Sequence, residues 1–97
     1  MTGLRWGILA TGGIAHAFAS DLRTAGLDLA AVGSRSPESG QRFAEEFAVP
    51  RVHGSYEALL ADPAVEAVYI SLPNSLHHKR TMAALEAGKH VLCEKPS

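Results

Sequence analysis

Short apolar runs and stretches of helical periodicity alternate along this chain almost from its first residue, and that alternation limits the fold more than any other feature. Leu4 to Ala10 (LRWGILA) is an apolar run bounded by glycines, as expected of a strand buried on both faces of a parallel sheet. A turn at Thr11 and Gly12 leads into a helical stripe of Ile14, Phe18 and Leu22, flanked by Ala15 and Ala19 and ending near Gly26. Leu27 to Gly33 reads as a second strand, and Ser36 with Pro37 opens a second helix carrying Phe43, Ala44 and Phe47. Pro50 to His53 is a short third strand near an edge. Ser55 caps a brief helix using Tyr56, Leu59 and Leu60, which Asp62-Pro63 breaks. Val65 to Ser71 is the fourth strand, a helix with His78, Met82 and Leu85 inward stops at Gly88, and His90 to Cys93 is the fifth strand. Right-handed crossovers then predict an α/β fold, a doubly wound parallel sheet in the order 3-2-1-4-5. Its ligand crevice lies beyond the carboxyl ends of the strands.

Composition narrows the function classes. The 97 residues are 46% hydrophobic and 20% charged, which suits one globular domain. Nine Lys plus Arg against ten Asp plus Glu give a formal charge of −1, so neither nucleic acid nor a polybasic membrane surface is expected. No apolar run approaches the roughly 20 residues of a membrane span, and no signal-peptide pattern opens the chain, so a cytoplasmic location is expected. Cys93 alone can form neither an internal disulfide nor a Cys-x-x-Cys pair. His77 and His78 are consecutive and point about 100° apart on a helix, while His16, His53 and His90 have no ligand spacing, so no metal site is expected.

Four strand ends carry residues suited to a dinucleotide or its chemistry. Ala10-Thr11-Gly12-Gly13-Ile14-Ala15 occupies the place of a G-x-G-x-x-G turn, with alanine at the outer glycine positions. Gly12 allows backbone to approach a pyrophosphate, and the amides near Gly13 and Ile14 open a helix whose N-terminus favours anions. A tight turn without a ligand would have the same spelling. After the second strand stand Ser34 and Arg35, where NAD-binding sheets usually place a carboxylate for the ribose hydroxyls. A hydroxyl and a guanidinium there favour a 2′-phosphate, hence NADP over NAD, although a solvated loop arginine is the plainer alternative. After the fourth strand, Asn74 or Ser75 can cap a helix, or Asn74 and His77 can line a nicotinamide pocket. Glu94-Lys95-Pro96 leaves a strand inside the sheet. Lys95 there faces the crevice and can pass a proton to a substrate oxygen, while a surface ion pair is the alternative.

Together, these elements resemble the N-terminal dinucleotide-binding Rossmann domain of the Gfo/Idh/MocA oxidoreductases, a family that includes glucose-fructose oxidoreductase and inositol dehydrogenase. The resemblance is carried by Arg5 to Ala15, Ser34-Arg35, Gly54-Ser55-Tyr56, Pro73-Asn74-Ser75-Leu76-His77 and Ala87 to Pro96, and it spans essentially the whole chain. The Arg-Trp-Gly opening and the Ser-Tyr pair are most similar to the dihydrodiol and NADP-dependent xylose dehydrogenase branch. The resemblance implies that Thr11, Gly12, Gly13 and Ile14 hold the pyrophosphate and that Ser34 and Arg35 meet the adenosine ribose and its phosphate. It further implies that Pro73, Asn74, His77 and Glu94 lie along the nicotinamide side, and that Lys95 assists proton movement while hydride passes to or from a sugar or polyol carbon.

Family members continue into another helix and strand and then into a substrate domain. Residues 1–97 are therefore expected to form a dinucleotide-binding domain truncated before its last strand, able to bind NADP without turnover. A non-catalytic nucleotide-binding or oligomerisation module is the alternative, with a possible homo-oligomer formed through the incomplete sheet.

Overall fold

The computed structural model describes residues 4–10, 12–71 and 74–93, with residues 74–78 and Cys93 described by their backbone alone. The elements run β1 (Arg5–Leu9), α1 (Gly13–Ala25), β2 (Asp28–Gly33), α2 (Pro37–Phe47), β3 (Arg51–His53), α3 (Tyr56–Leu60), β4 (Ala67–Ile70), α4 (Asn74–Glu86) and β5 (His90–Cys93). The strands form one sheet ordered β3-β2-β1-β4-β5, with every pairing parallel. This is the doubly wound order expected from the alternation of elements. Among the described residues β3 and β5 stand at the two borders of the sheet, as that order requires.

Strand periodicity sorts the core into two layers. Ile8, Val32 and Tyr69 belong to a cluster with Leu22 of α1 and Phe43 of α2, whereas Leu9, Ala31, Val68 and Ile70 pack with Leu59 of α3 and Ala84 of α4. β4 is buried along its whole length, which explains its unbroken apolar spelling. Phe18 stacks on Tyr69 with ring centroids 3.9 Å apart, and Trp6 meets Phe18 edge-on at 5.4 Å. On the opposite face Leu59 lies over two glycines. A Cβ on Gly7 would sit 3.2 Å from its Cδ1, and one on Gly33 would sit 3.1 Å from its Cβ.

Helix ends follow local chemistry. Gly26 takes φ 74 after α1, and Leu27 N–H returns to the Leu22 carbonyl at 2.9 Å, a Schellman closure. Ser36 and Ser55 cap α2 and α3 with their hydroxyls.

Two helix faces differ in part from expectation: in α1 Phe18 and Leu22 pack inward with Ala15 and Ala19 as expected, and only Ile14 departs. Along α1 the buried residues are Ala15, Ala19 and Leu22, while Ile14 is 52% exposed. Eight residues of helix turn Ile14 by about 80° away from Leu22, and the two alanines let the helix lie close to the sheet. Among the described side chains of α4 the buried residue is Ala84, whereas Met82 and Leu85 are 45% and 52% exposed. Small side chains again set the contact face; His78, the third residue of the expected stripe, has no described side chain. Among the described residues no helix is long and apolar enough to cross a membrane.

Candidate functional site

The sheet winds in opposite directions from β1 and β4, so the crevice at their carboxyl ends is the natural ligand position. Ala10 leaves β1 with φ 90, a backbone conformation that glycine adopts freely and alanine adopts under strain. Its N–H donates to the Gly33 carbonyl at 2.9 Å, which joins the turn after β1 to the end of β2. The position matching the first glycine of the fingerprint has kept the glycine conformation with an alanine side chain.

Gly12 is the N-cap of α1, and no side chain caps its first turn. The first turn also holds no acidic residue. Its N–H groups are open to an anion on the positive end of the helix dipole. A Cβ built on either Gly12 or Gly13 meets nothing within 4 Å, and neither residue has positive φ. Packing requires glycine at Gly7 and Gly33. At Gly12 and Gly13 the protein's own atoms do not, and what glycine provides there is bare backbone facing open space.

At the end of β2 the two candidate residues play different parts. Ser34 is buried, and its hydroxyl donates to the Ser36 carbonyl at 2.9 Å and accepts the Ser36 N–H at 3.1 Å. That hydroxyl is committed to shaping the loop, which departs from the expectation that it is free for a phosphate. Ser34 N–H donates to the His53 carbonyl at 3.1 Å, so β3 also holds this loop. Arg35 is exposed, with no carboxylate partner among the described residues.

Asn74 opens α4 and His77 stands in its first turn, at the end of β4 beside β1. Thr11, Pro73, Glu94 and Lys95 lie outside the described residues. The Ala10–Gly33 hydrogen bond and the parallel pairing of β1 with β2 and β4 put the turn after β1, the end of β2 and the start of α4 at the same end of the sheet.

Sequence reasoning missed two groups because each depends on contacts distant in sequence. A cleft of about 190 Å³ between α1 and α2 is lined by His16, Ser39, Arg42, Phe43 and Glu46. The carboxylate of Asp62, 1% exposed, accepts from Arg51 Nε at 2.5 Å and from Ala64 N–H at 2.9 Å, and pairs with His53 Nε2 at 2.8 Å. The Arg51 guanidinium, helped by the Ala64 N–H and His53, holds that carboxyl well below the usual range, against the opposing effect of burial. Asp62 was legible only as half of a helix-breaking Asp-Pro pair.

Residues 4–97 match the model of the Gfo/Idh/MocA family, an oxidoreductase family with an NAD-binding Rossmann fold. The D-xylose 1-dehydrogenase (NADP(+)) of Hypocrea jecorina is 45% identical over an alignment 108 positions long, which covers 95% of this chain and 27% of that protein. The trans-1,2-dihydrobenzene-1,2-diol dehydrogenase of Mus musculus is 42% identical over 96 residues, covering 96% of this chain and 29% of that protein. Among solved structures, KijD10, a 3-ketoreductase from Actinomadura kijaniata in complex with TDP-benzene and NADP, superposes with a TM-score of 0.90 at 38% identity, covering 97% of this chain and 30% of that one. The chain spans less than a third of the length of these relatives. With the sheet order, the bare Gly12-Gly13 turn and these matches in agreement, the chain belongs to the Gfo/Idh/MocA oxidoreductase family and carries its NAD-binding Rossmann fold.

Proposed function

We propose that this chain binds a nicotinamide dinucleotide, NADP in preference to NAD, and is the cofactor-holding part of an oxidoreductase acting on a sugar, polyol or related alcohol or ketone. The observation that carries this reading is the pair Gly12 and Gly13 at an uncapped helix N-terminus, where a Cβ on either residue would meet nothing within 4 Å. These features fit a pyrophosphate held by Thr11, Gly12, Gly13 and Ile14. The relatives' names support NADP, and Arg35, exposed just past the end of β2, is suited to a 2′-phosphate. Ser34 acts by fixing the Arg35 loop through Ser36 and His53.

When bound, the dinucleotide supplies a hydride donor or acceptor at its nicotinamide ring. Pro73, Asn74, His77 and Glu94 are assigned to the side of the crevice that orients this ring. Lys95, directly after β5, is assigned to move a proton at the substrate oxygen. A second reading, a module that self-associates, draws on Leu92, 45% exposed on edge strand β5. Strictly monomeric sedimentation at high concentration rules it out.

Calorimetric titration with NADPH and NADH tests the cofactor reading. NADPH should bind at least about ten-fold more tightly, and Arg35→Ala should remove most of that difference while leaving NADH binding unchanged. Equal affinities unaffected by the substitution would remove the argument from the 2′-phosphate.

A further inference from the structure

Both ring nitrogens of His16, in the first turn of α1, face an acceptor. Nδ1 lies 3.0 Å from the Gly12 carbonyl oxygen, and Nε2 lies 3.2 Å from a carboxylate oxygen of Glu46 on α2. The ring packs edge-on against Phe43 and Phe47, with centroids 4.9 and 5.5 Å away. A neutral imidazole has one N–H, so both contacts are hydrogen bonds at once only in the imidazolium. The Gly12 carbonyl also accepts the backbone N–H of His16 at 3.0 Å, closing the first helical turn. Because the peptide unit is planar and trans, a Gly12 carbonyl held along the helix aims the Gly13 N–H the opposite way, out of the helix end. Among the described residues, Glu46 meets the ring at 3.2 Å, and the other charged residue lining the cleft with it is Arg42, also on α2.

We propose that His16 is a positioning residue for the phosphate loop. As an imidazolium it ties the Gly12 carbonyl to α2, and its proton sets how well the loop presents its N–H groups to a dinucleotide pyrophosphate. This rests on the reading that the loop binds such a pyrophosphate. The two side chains are 41% and 58% exposed, so the pair adds little to folding stability and its effect lies in affinity. The imidazolium charge beside the loop acts in the same direction.

The test is the dissociation constant of NADPH for the full-length protein between about pH 5.5 and about pH 8.5, the range in which imidazoles titrate. The 2′-phosphate titrates near this range too, so each profile is read against His16→Ala, which retains that contribution. Relative to His16→Ala, the unsubstituted protein should lose roughly three- to ten-fold in affinity as pH rises. His16→Asn places an amide donor where Nδ1 stands and should keep tight binding without the pH dependence. His16→Gln places its donor where Nε2 stands, reaches Glu46 alone, and should bind as weakly as His16→Ala. Glu46→Gln can donate to an unprotonated Nε2 and should flatten the profile. Melting temperatures close to that of the unsubstituted protein show that the variants fold. NADPH binding whose profile is the same in all variants overturns the role of His16 and leaves the cofactor reading standing, and equal binding by the Asn and Gln variants overturns the Gly12 contact as its basis. Absence of NADPH and NADH binding at every pH overturns the cofactor reading and this proposal with it.

Discussion

Ala10 holds φ 90 without being glycine, and its N–H is pinned to the Gly33 carbonyl at 2.9 Å. The side chain therefore sits in a conformation its own Cβ disfavours, next to the loop assigned to the pyrophosphate. Ala10→Gly should relieve that strain and raise unfolding stability by up to about 1 kcal/mol, after the greater freedom glycine has in the unfolded chain is deducted. Urea denaturation with an unchanged m-value checks it; a loss of stability would show that the turn does not require positive φ. Sequence sets Ala10 at the first position of the fingerprint. It could not reveal the dihedral angle, which is imposed by the bond to Gly33 across the sheet. Ser34 gives the same lesson in reverse, because a hydroxyl that reads as a ligand group is turned inward onto Ser36.

At the scale of elements, the strands and helices were legible because burial on both faces writes unbroken apolar runs and burial on one face writes a helical stripe. Which stripe faces inward was less legible. Ile14, Met82 and Leu85 are large and apolar yet exposed, while Ala15, Ala19 and Ala84 are buried, because close helix-on-sheet packing favours small side chains at the nearest points of contact. Leu59 shows how tight that packing is. It covers Gly33, where an added Cβ would lie 3.1 Å from Leu59 Cβ and 3.4 Å from the Ser55 carbonyl oxygen. Neither atom is the free end of a flexible chain, so α3 would have to shift. Gly33→Ala should cost about 1–3 kcal/mol in thermal or chemical unfolding. Any share of the strain taken up by β2 would also move the Gly33 carbonyl that holds Ala10, so weaker NADPH binding is expected alongside the lower stability.

Across the whole molecule, Asp62 joins parts far apart in the chain. Its carboxylate binds Arg51 and pairs with His53 of β3, and its carbonyl oxygen accepts from Lys89 Nζ, just before β5, at 2.7 Å. Lys89 also donates to the Val65 carbonyl at 2.6 Å. The two edge strands are thus tied to one loop. Since the carboxyl pKa is lowered by folding, its contribution is fully present above the ordinary aspartate range and is lost as pH falls through that range toward the depressed folded value. Asp62→Asn should cost about 1–3 kcal/mol at neutral pH and make stability less sensitive to acid below roughly pH 5. Denaturation curves at several pH values measure both effects; an unchanged acid dependence would show that other carboxylates govern it.

The sequence by itself determined the alternation of elements, the sheet order that follows from right-handed crossovers, the family, and the strand ends where a ligand would lie. Each of these is written in local periodicity, in turn chemistry or in contiguous motifs. Tertiary structure alone decided that Gly12 and Gly13 face open space while Gly7 and Gly33 are packed, that the Ser34 hydroxyl is spent within its loop, and that His16 reaches both Gly12 and Glu46. Those properties depend on contacts between helices and strands separated along the chain, and a side chain's partner across such a distance is set by how the layers pack.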